Sequence, residues 1–104
     1  MRTIFLACYE PHAIKGLISG SDRKAAVNAL LNSVGGKLES MMFTRGEFDI
    51  AVICELPNES TRVGLGMAIK ASGAFSRVIS LDELEMEPVI AAAQKAAKVY
   101  EPAG

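Results

Sequence analysis

The sequence predicts an α+β domain, because segments with strand-like and helix-like patterns alternate along its 104 residues. The strand-like segments are rich in β-branched and aromatic residues. The helix-like segments instead repeat apolar residues at spacings of three and four. Arg45-Gly46 permits a tight turn between two strand-like segments, which indicates an antiparallel hairpin. A chain of this length has room for one hydrophobic core, so we expect a single domain over residues 1–104.

The first third of the chain is predicted to form a strand and a helix. Residues 2–9 (RTIFLACY) have the composition of a strand, and Pro11 ends them. A turn through residues 12–20 follows, and Ser21-Asp22 offers an N-cap for the helix. Gly35-Gly36 ends this helix by supplying the left-handed conformation of a C-cap. The apolar residues that recur at helical spacing are Ala26, Val27, Leu30, Leu31 and Val34.

The rest of the chain is predicted to form three strands and two helices. Residues 38–44 and 47–55 form the hairpin. A helix that Asn58 can cap follows, and residues 74–81 form the fourth strand. The last helix begins near Glu87, because the proline that comes next is favourable only in a first helical turn. The resulting order is β-α-β-β-α-β with an added C-terminal helix, which predicts a ferredoxin-like antiparallel sheet.

In a ferredoxin-like fold both crossover helices pack on one face of the sheet, and the other face is open. An open face should carry polar residues. The third strand instead places Ala51 and Ile53 opposite to Ile50, Val52 and Cys54, so both of its faces are apolar. The C-terminal helix could cover part of the second face. We expect a second copy of the chain to cover it, giving a homodimer or higher homo-oligomer, because two-fold dimers are the commonest homo-oligomers.

Charge and composition exclude several classes of partner. The net charge is -1, and the lysines and arginines are scattered along the chain. This pattern disfavours nucleic acid and an anionic membrane surface as partners. No apolar run approaches the roughly 20 residues of a membrane-spanning helix, and no secretory leader is recognisable. Cys8 and Cys54 are interpreted as buried thiols, and the expected location is the cytoplasm.

No metal ion or cofactor is expected. His12 is the only histidine, and its spacing from Cys8 does not form a metal-binding pair. We therefore interpret His12 as a histidine of a surface loop. The glycines do not form a phosphate-binding loop, because Gly64 and Gly66 lie inside a predicted helix. Close packing of that helix against the sheet is the expected reason for these two glycines.

Two carboxylates are the first candidates for catalysis. Glu47 and Asp49 are two residues apart on a predicted strand, so they share a face and lie within about 7 Å of each other. Such a pair can raise one another's pKa and serve as general acid and base. The alternative is structural, with Asp49 accepting backbone hydrogen bonds near the turn. Asp49 is the first candidate of the pair, and His12 is the third catalytic candidate.

Ligand binding has its own candidates, which are Asp49, Tyr9 and Arg45. An anionic ligand could also be bound by basic residues at the mouth of a cavity. The basic residues that the sequence offers for this role are Lys15, Arg23, Arg45 and Arg77. The alternative is that these basic side chains are simply solvated.

Three segments resemble the GYD domain proteins, which are small bacterial proteins named for a Gly-Tyr-Asp signature. The segments are Gly35-Gly36-Lys37-Leu38, Thr44 to Asp49, and Ile53 to Pro57. Tyr9 and Ala13-Ile14-Lys15 also match residues that are typical of such proteins. The resemblance extends from about residue 3 to about residue 95 and implies a ferredoxin-like fold akin to the dimeric α/β barrels. It implies no particular activity, and Phe48 stands where the tyrosine of the signature is usual.

Two hypotheses for the function follow, and the sequence assigns neither. The first is a non-catalytic domain that binds a small ligand or acts through assembly, since no nucleophile–base pair, metal set or cofactor loop is recognisable. The second is a cofactor-independent enzyme that acts on small organic substrates in a cavity lined by the sheet. This second hypothesis rests on an analogy of fold, and fold does not determine function.

Overall fold

The computed structural model describes residues 1–103 and confirms an α+β domain with one four-stranded sheet. The elements in chain order are β1 (Arg2–Tyr9), α1 (Pro11–Ile18), α2 (Arg23–Ser33), β2 (Lys37–Phe43), β3 (Ile50–Glu55), α3 (Glu59–Ala71), β4 (Phe75–Asp82) and α4 (Met86–Val99). The strands lie in the order β2-β3-β1-β4, and all neighbouring strands are antiparallel. This is the predicted ferredoxin-like arrangement with an added C-terminal helix.

Side-chain caps confirm the predicted starts of two helices. Oδ1 of Asp22 accepts a hydrogen bond from the backbone N–H of Ala25 at 3.0 Å, at the start of α2. Oδ1 of Asn58 accepts one from the backbone N–H of Thr61 at 2.9 Å, at the start of α3. α4 begins at Met86, so its proline lies in the first turn, where a missing N–H costs no helical hydrogen bond.

The predicted turn through residues 12–20 is wrong for most of that segment, which forms helix α1 instead. Pro11 occupies the first helical position, where its fixed φ favours a helix. The backbone N–H groups of Ala13 and Ile14 donate to the carbonyl of Glu10 at 3.0 and 3.2 Å. No side chain among the described residues caps α1. His12 consequently lies in the first turn of a helix and not in a loop.

The hairpin loop is longer than predicted, because β3 begins at Ile50 and not at residue 47. The backbone N–H of Thr44 donates to the carbonyl of Asp49 at 2.8 Å, which closes the loop. The hydroxyl of Thr44 donates to the carbonyl of Phe48 at 2.6 Å. Glu47 and Asp49 therefore lie in the loop that precedes β3, and the strand spacing expected for the pair does not apply.

The core lies between the sheet and helices α2 and α3. Its centre is formed by Phe5, Val52 and Cys54 from the sheet and by Leu31 and Leu65 from the helices. Each large apolar side chain that is removed from water contributes roughly 1.5–3 kcal/mol. The helix-facing side of the sheet therefore provides most of the apolar burial that stabilises the chain.

Glycine is required by packing at Gly36 but not in the middle of α3. A Cβ at Gly36 would lie 2.8 Å from Cδ2 of Leu56, where the end of α2 approaches the end of β3. At Gly64 no atom from another part of the described chain would lie within 4 Å of a Cβ, so the predicted close packing is wrong there. At Gly66 a Cβ would lie 4.0 Å from Oγ of Ser80, which is an ordinary contact.

The face of the sheet opposite the helices is apolar, which confirms that β3 is apolar on both of its faces. We call this surface the open face, and its central residues are Ile4 and Leu6 of β1, Met42 of β2, Ala51 and Ile53 of β3, and Ile79 and Leu81 of β4. On the two outer strands, Met42 and Leu81 are each 47% exposed. Ser40 of β2, which pairs with Ile53, adds a polar side chain to this surface. The chain therefore presents to solvent a sheet surface that is mostly apolar, whereas an open face is expected to be polar.

Helix α4 does not cover the open face of its own chain. Within residues 1–103, α4 makes no extensive contact with another element, and none of its residues is buried. The molecule measures 59 × 33 × 22 Å and has a radius of gyration of 17.7 Å, against about 13 Å for a compact domain of this length. α4 thus extends away from the sheet with apolar residues such as Val89 and Ile90 exposed. Of the helices in the described residues, none has the length and apolar character to cross a membrane.

Candidate ligand-binding cleft

A cleft of about 450 Å³ lies between the sheet and its helices. Its floor is the helix-facing side of β1 and β3, which includes Phe5, Tyr9 and Val52. Its walls are α2 and α3, which contribute Val27 and Ile69 among others. Binding sites for small molecules have volumes of about 300–1,000 Å³ and mostly apolar linings, so the cleft has the size and character of such a site.

The cleft exists because two helices cover the edges of the sheet more than its centre. α2 packs against β2, and α3 packs against β4, and these are the two outer strands. A gap therefore remains between the helices over β3 and β1, although the helix-facing side chains of these two strands are each at most 9% exposed. α1 closes one end of this gap, since His12, Ala13 and Gly16 line the cleft.

Most polar side chains of the lining gather at one end, where β1 ends. Tyr9 is the last residue of β1, and His12 follows in the first turn of α1. Arg23 begins α2 at this end, since α2 runs from here towards the opposite end of the sheet and into β2. Ser21 precedes α2, and Ser72 follows α3. We call Tyr9, His12, Ser21, Arg23 and Ser72 the polar end of the cleft.

Tyr9 is held firmly at the polar end. It is only 8% exposed, and its ring stacks on the ring of Phe75 with the centroids 5.1 Å apart. Its backbone N–H donates to Oδ2 of Asp49 at 2.9 Å. Burial raises the pKa of the Tyr9 phenol above its ordinary value, although the positive charge of Arg23 opposes part of the rise. The phenol hydroxyl has no hydrogen-bond partner within residues 1–103, so it can bind a ligand.

Arg23 carries an unsatisfied donor at the polar end. Its Nε atom is buried and has no hydrogen-bond acceptor among residues 1–103. Nε of Arg62 is also buried without an acceptor, but Nη2 of Arg62 contacts Asp82 at 3.0 Å. Among residues 1–103, Arg2 and Arg77 also contact carboxylates, at 2.7 Å each, whereas Arg23 contacts none. A buried donor without an acceptor costs roughly 1–3 kcal/mol. Arg23 is therefore the group of the cleft that an acceptor on a ligand would stabilise most.

The structure brings together three residues that the sequence offered separately. Tyr9 was a candidate for ligand binding, His12 for catalysis, and Arg23 for an anion, and all three line the polar end. Sequence reasoning did not foresee their convergence. One feature of the sequence does distinguish Arg23. A helix dipole favours acidic side chains in the first turn, but the first turn of α2 has none and begins with this arginine.

The other sequence candidates lie outside the cleft lining. Oδ2 of Asp49 accepts a hydrogen bond from the backbone N–H of Tyr9, which is the structural role considered for this carboxylate. Glu47 is exposed, and its Oε1 contacts Nη1 of Arg77 at 2.7 Å. Arg45 is exposed in the hairpin loop. Among residues 1–103, no group of three His, Cys, Asp or Glu side chains is arranged to hold a metal ion.

The two cysteines lie on neighbouring strands but on opposite faces of the sheet. Cys54 is 0% exposed, which confirms a buried thiol, and burial raises its pKa to about 11. Cys8 is only half-buried, so the prediction of a buried thiol is wrong for this residue. It lies beside the open face, and its Sγ donates to the carbonyl of Glu47 at 3.1 Å. Because β1 alternates its side chains between the two faces, these thiols cannot meet.

Comparison with protein families assigns the chain. The family model of the GYD domain matches residues 4–93. The chain belongs to the GYD domain family. In this GYD domain the signature segment is the hairpin loop, where the guanidinium of Arg77 lies 5.0 Å from the centroid of the Phe48 ring. The matched region runs from β1 into α4 and contains the whole polar end of the cleft. A comparison with curated proteins finds no match to the chain.

Proposed function

We propose that this GYD domain is a homo-oligomeric protein that binds a small molecule in the cleft between the sheet and the helices. The observation that carries the proposal is the space of about 450 Å³ over the centre of the sheet. The cleft is partly open, so part of its apolar lining contacts water, and Leu30 is 38% exposed. A ligand that displaces this water buries apolar surface, so its binding stabilises the folded chain.

The arrangement of the lining supports binding in one orientation. The floor and walls are mostly apolar, and the polar end provides the few hydrogen-bonding groups that fix a ligand's direction. Glu47 and Asp49 were the candidates for an acid–base pair, and neither lines the cleft. The cleft therefore favours a role in binding over one in acid–base catalysis by these two carboxylates.

We further propose that two chains associate through their open faces. The open face is apolar in its centre, and an oppositely charged pair lies at each end of it. Nε of Arg2 contacts Oε2 of Glu39 at 2.7 Å at one end, and Nη1 of Arg77 contacts Oε1 of Glu47 at 2.7 Å at the other. Because both charges are present at both ends, the face is complementary to a second copy of itself about a two-fold axis.

Helix α4 supports the same proposal by its exposure. Four strands about 4.8 Å apart, with stretches of about six residues, give the open face an area of roughly 400 Å². A stable interface takes about 800 Å² from each partner. The apolar side of α4 supplies the remaining area if it packs on the partner chain, since Met86, Val89 and Ile90 are each at least 39% exposed.

The proposed location is the cytoplasm. Cys8 and Cys54 are free thiols, and they lie on opposite faces of the sheet. Thiols persist in the reducing cytoplasm, whereas exported proteins usually pair their cysteines in disulfides.

Native mass spectrometry of the purified protein tests assembly and binding in one experiment. We expect the mass of two chains, or a multiple of two, together with the additional mass of a bound small molecule. A monomer at micromolar concentration would contradict the proposed assembly. The additional mass, where present, gives the ligand's composition.

A substitution that fills the cleft tests binding directly, with the neutral dye Nile red as an apolar probe. Ala68 of α3 lines the cleft and is exposed, so Ala68→Trp fills the space without disturbing the core. We expect this variant to bind Nile red at least about tenfold more weakly than the wild type. Met67→Trp is the matched control, because Met67 is the preceding residue, is 67% exposed and lies outside the lining. Equal binding by both variants would mean that the probe occupies another site.

A further inference from the structure

We propose that the ligand of the cleft is an apolar carboxylate whose carboxylate group binds Arg23 and the hydroxyl of Tyr9 at the polar end. This inference rests on the proposed function, since it names the chemical class of the molecule in that cleft. The apolar part of the ligand lies along Phe5 and Val52 on the floor. Straight-chain and aromatic carboxylic acids have this combination of a planar anion and an apolar body.

The first argument is the charge of Arg23. A guanidinium keeps its proton in proteins, so the buried Nε–H of Arg23 stays a donor and its charge stays in place. The Arg23 side chain is half-buried, and its buried Nε–H without an acceptor is costly, so the cost falls when an acceptor binds. A carboxylate suits a guanidinium, because it can accept two parallel hydrogen bonds from it.

The second argument is that the neighbouring carboxylates of the chain are already occupied. Asp22 precedes Arg23, and its Oδ1 caps α2 by accepting the backbone N–H of Ala25. Asp49 lies near Tyr9, and its Oδ2 accepts the backbone N–H of that residue. Within residues 1–103 no carboxylate pairs with Arg23, so its positive charge is left for a ligand.

The third argument is the position of the Tyr9 hydroxyl. The ring is fixed by its stacking on Phe75 and by the hydrogen bond between its backbone and Asp49. Burial raises the pKa of the phenol, so the hydroxyl keeps its proton and acts as a donor. A hydroxyl donor and a guanidinium at one end of an apolar cleft favour an anionic head group over a neutral one. His12 adds a further polar group at the same end.

The test compares two ligands of equal chain length, decanoate and decan-1-ol, by their displacement of Nile red from the whole protein. We expect decanoate to displace the dye at a concentration at least about tenfold lower than decan-1-ol, because only decanoate makes charge-assisted hydrogen bonds. Arg23→Gln should abolish this preference, because it weakens decanoate far more than it weakens decan-1-ol. Arg45→Gln is the matched control and should keep the preference, because Arg45 is exposed and lies outside the cleft.

The outcomes distinguish the inference of a carboxylate ligand from the proposed function, which is ligand binding in the cleft. If the wild type binds both ligands equally while Nile red still binds, the carboxylate inference is wrong and the proposed function stands. If Nile red and both ligands fail to bind, the proposed function itself is contradicted. A preference for decanoate that survives in Arg23→Gln also overturns the inference. Tyr9→Phe gives a second measurement, since removal of the hydroxyl alone should weaken decanoate several-fold and decan-1-ol less. Together with the wild-type comparison, it decides the question if Arg23→Gln does not fold.

Discussion

The backbone N–H of Tyr9 donates to Oδ2 of Asp49 at 2.9 Å, which ties the hairpin loop to the end of β1. The contact lies on the side of β1 that faces β3, just beyond their last residue pair, which joins Ala7 to Ile50. A backbone N–H beyond the end of a ladder needs another acceptor. The carboxylate provides the missing acceptor, and the N–H of Asp49 donates in return to the carbonyl of Ala7 at 2.9 Å. The signature loop of the GYD domain thus helps to orient the Tyr9 ring at the polar end of the cleft.

Asp49→Ala is expected to lower the free energy of unfolding by about 2 kcal/mol, because the partly buried N–H of Tyr9 loses a charged acceptor. Asp49→Asn keeps an oxygen acceptor and should lose less. Urea denaturation measures both changes. Glu47→Ala is the control, since the ion pair of Glu47 is exposed and contributes about 0–1 kcal/mol. Equal losses for Asp49→Ala and Glu47→Ala would show that the hydrogen bond does not hold the loop.

Gly64→Ala is expected to raise the free energy of unfolding by about 1 kcal/mol, because alanine stabilises a helix interior and no neighbour opposes the added methyl group. Gly36→Ala is the contrasting variant and should lower stability by about 1–3 kcal/mol, since its Cβ would lie 2.8 Å from Leu56. Thermal unfolding measures both. A loss of stability in Gly64→Ala would reveal a close contact at α3 that forms only between chains.

Met42→Lys and Leu81→Lys are each expected to convert the proposed dimer into a monomer, because each variant places a charge on the open face. Both positions are 47% exposed in the single chain, so the fold should tolerate the lysine. Ile53→Lys, at the centre of the face, should have the same effect. Sedimentation velocity measures the change, with Ile18→Lys as the control because Ile18 is 81% exposed on α1. A dimer that persists in every variant would mean that the chains associate through another surface.

Stability is expected to fall as the pH rises from about 9 to about 11, and Cys54 is the main reason. Burial raises the pKa of this thiol from 9.0 to about 11, so the unfolded chain releases the proton first. The contribution is fully present below pH 9 and is lost above about pH 11, a change of about 3 kcal/mol. The raised pKa of Tyr9 acts in the same direction. Urea denaturation at a series of pH values measures the slope, which should be shallower in Cys54→Ala and unchanged in Cys8→Ala. Identical slopes in the two variants would rule out Cys54 as the cause.

Most of the fold could be predicted from the sequence because its signals are local. Asp22 and Asn58 cap their helices through contacts with residues three positions away. Gly35 has a φ of +75°, as the predicted helix end requires. α1 could not be predicted, because it lacks a side-chain cap and Pro11 marks the end of a strand as well as it marks the start of a helix.

The cleft could not be predicted, because it depends on where α2 and α3 lie over the sheet. A periodic pattern identifies the apolar side of a helix but carries no information on the distance between two helices. Tyr9 and His12 were identified as separate candidates for the same reason. The basic residue that begins α2 is the feature that sequence reasoning could have used, since a helix dipole disfavours a positive charge in the first turn and the neighbouring carboxylate of Asp22 caps the helix.

The alternation of β1 places two proposed tasks on one strand of eight residues. The residues that face the helices are Thr3, Phe5, Ala7 and Tyr9, and those on the side of the open face are Arg2, Ile4, Leu6 and Cys8. Point substitutions at even positions can therefore alter the assembly of chains, whereas those at odd positions can alter ligand binding. These two properties can diverge separately during evolution. A one-residue insertion or deletion in β1 would exchange the two sets at once, and this strand should therefore tolerate many substitutions but no change of length.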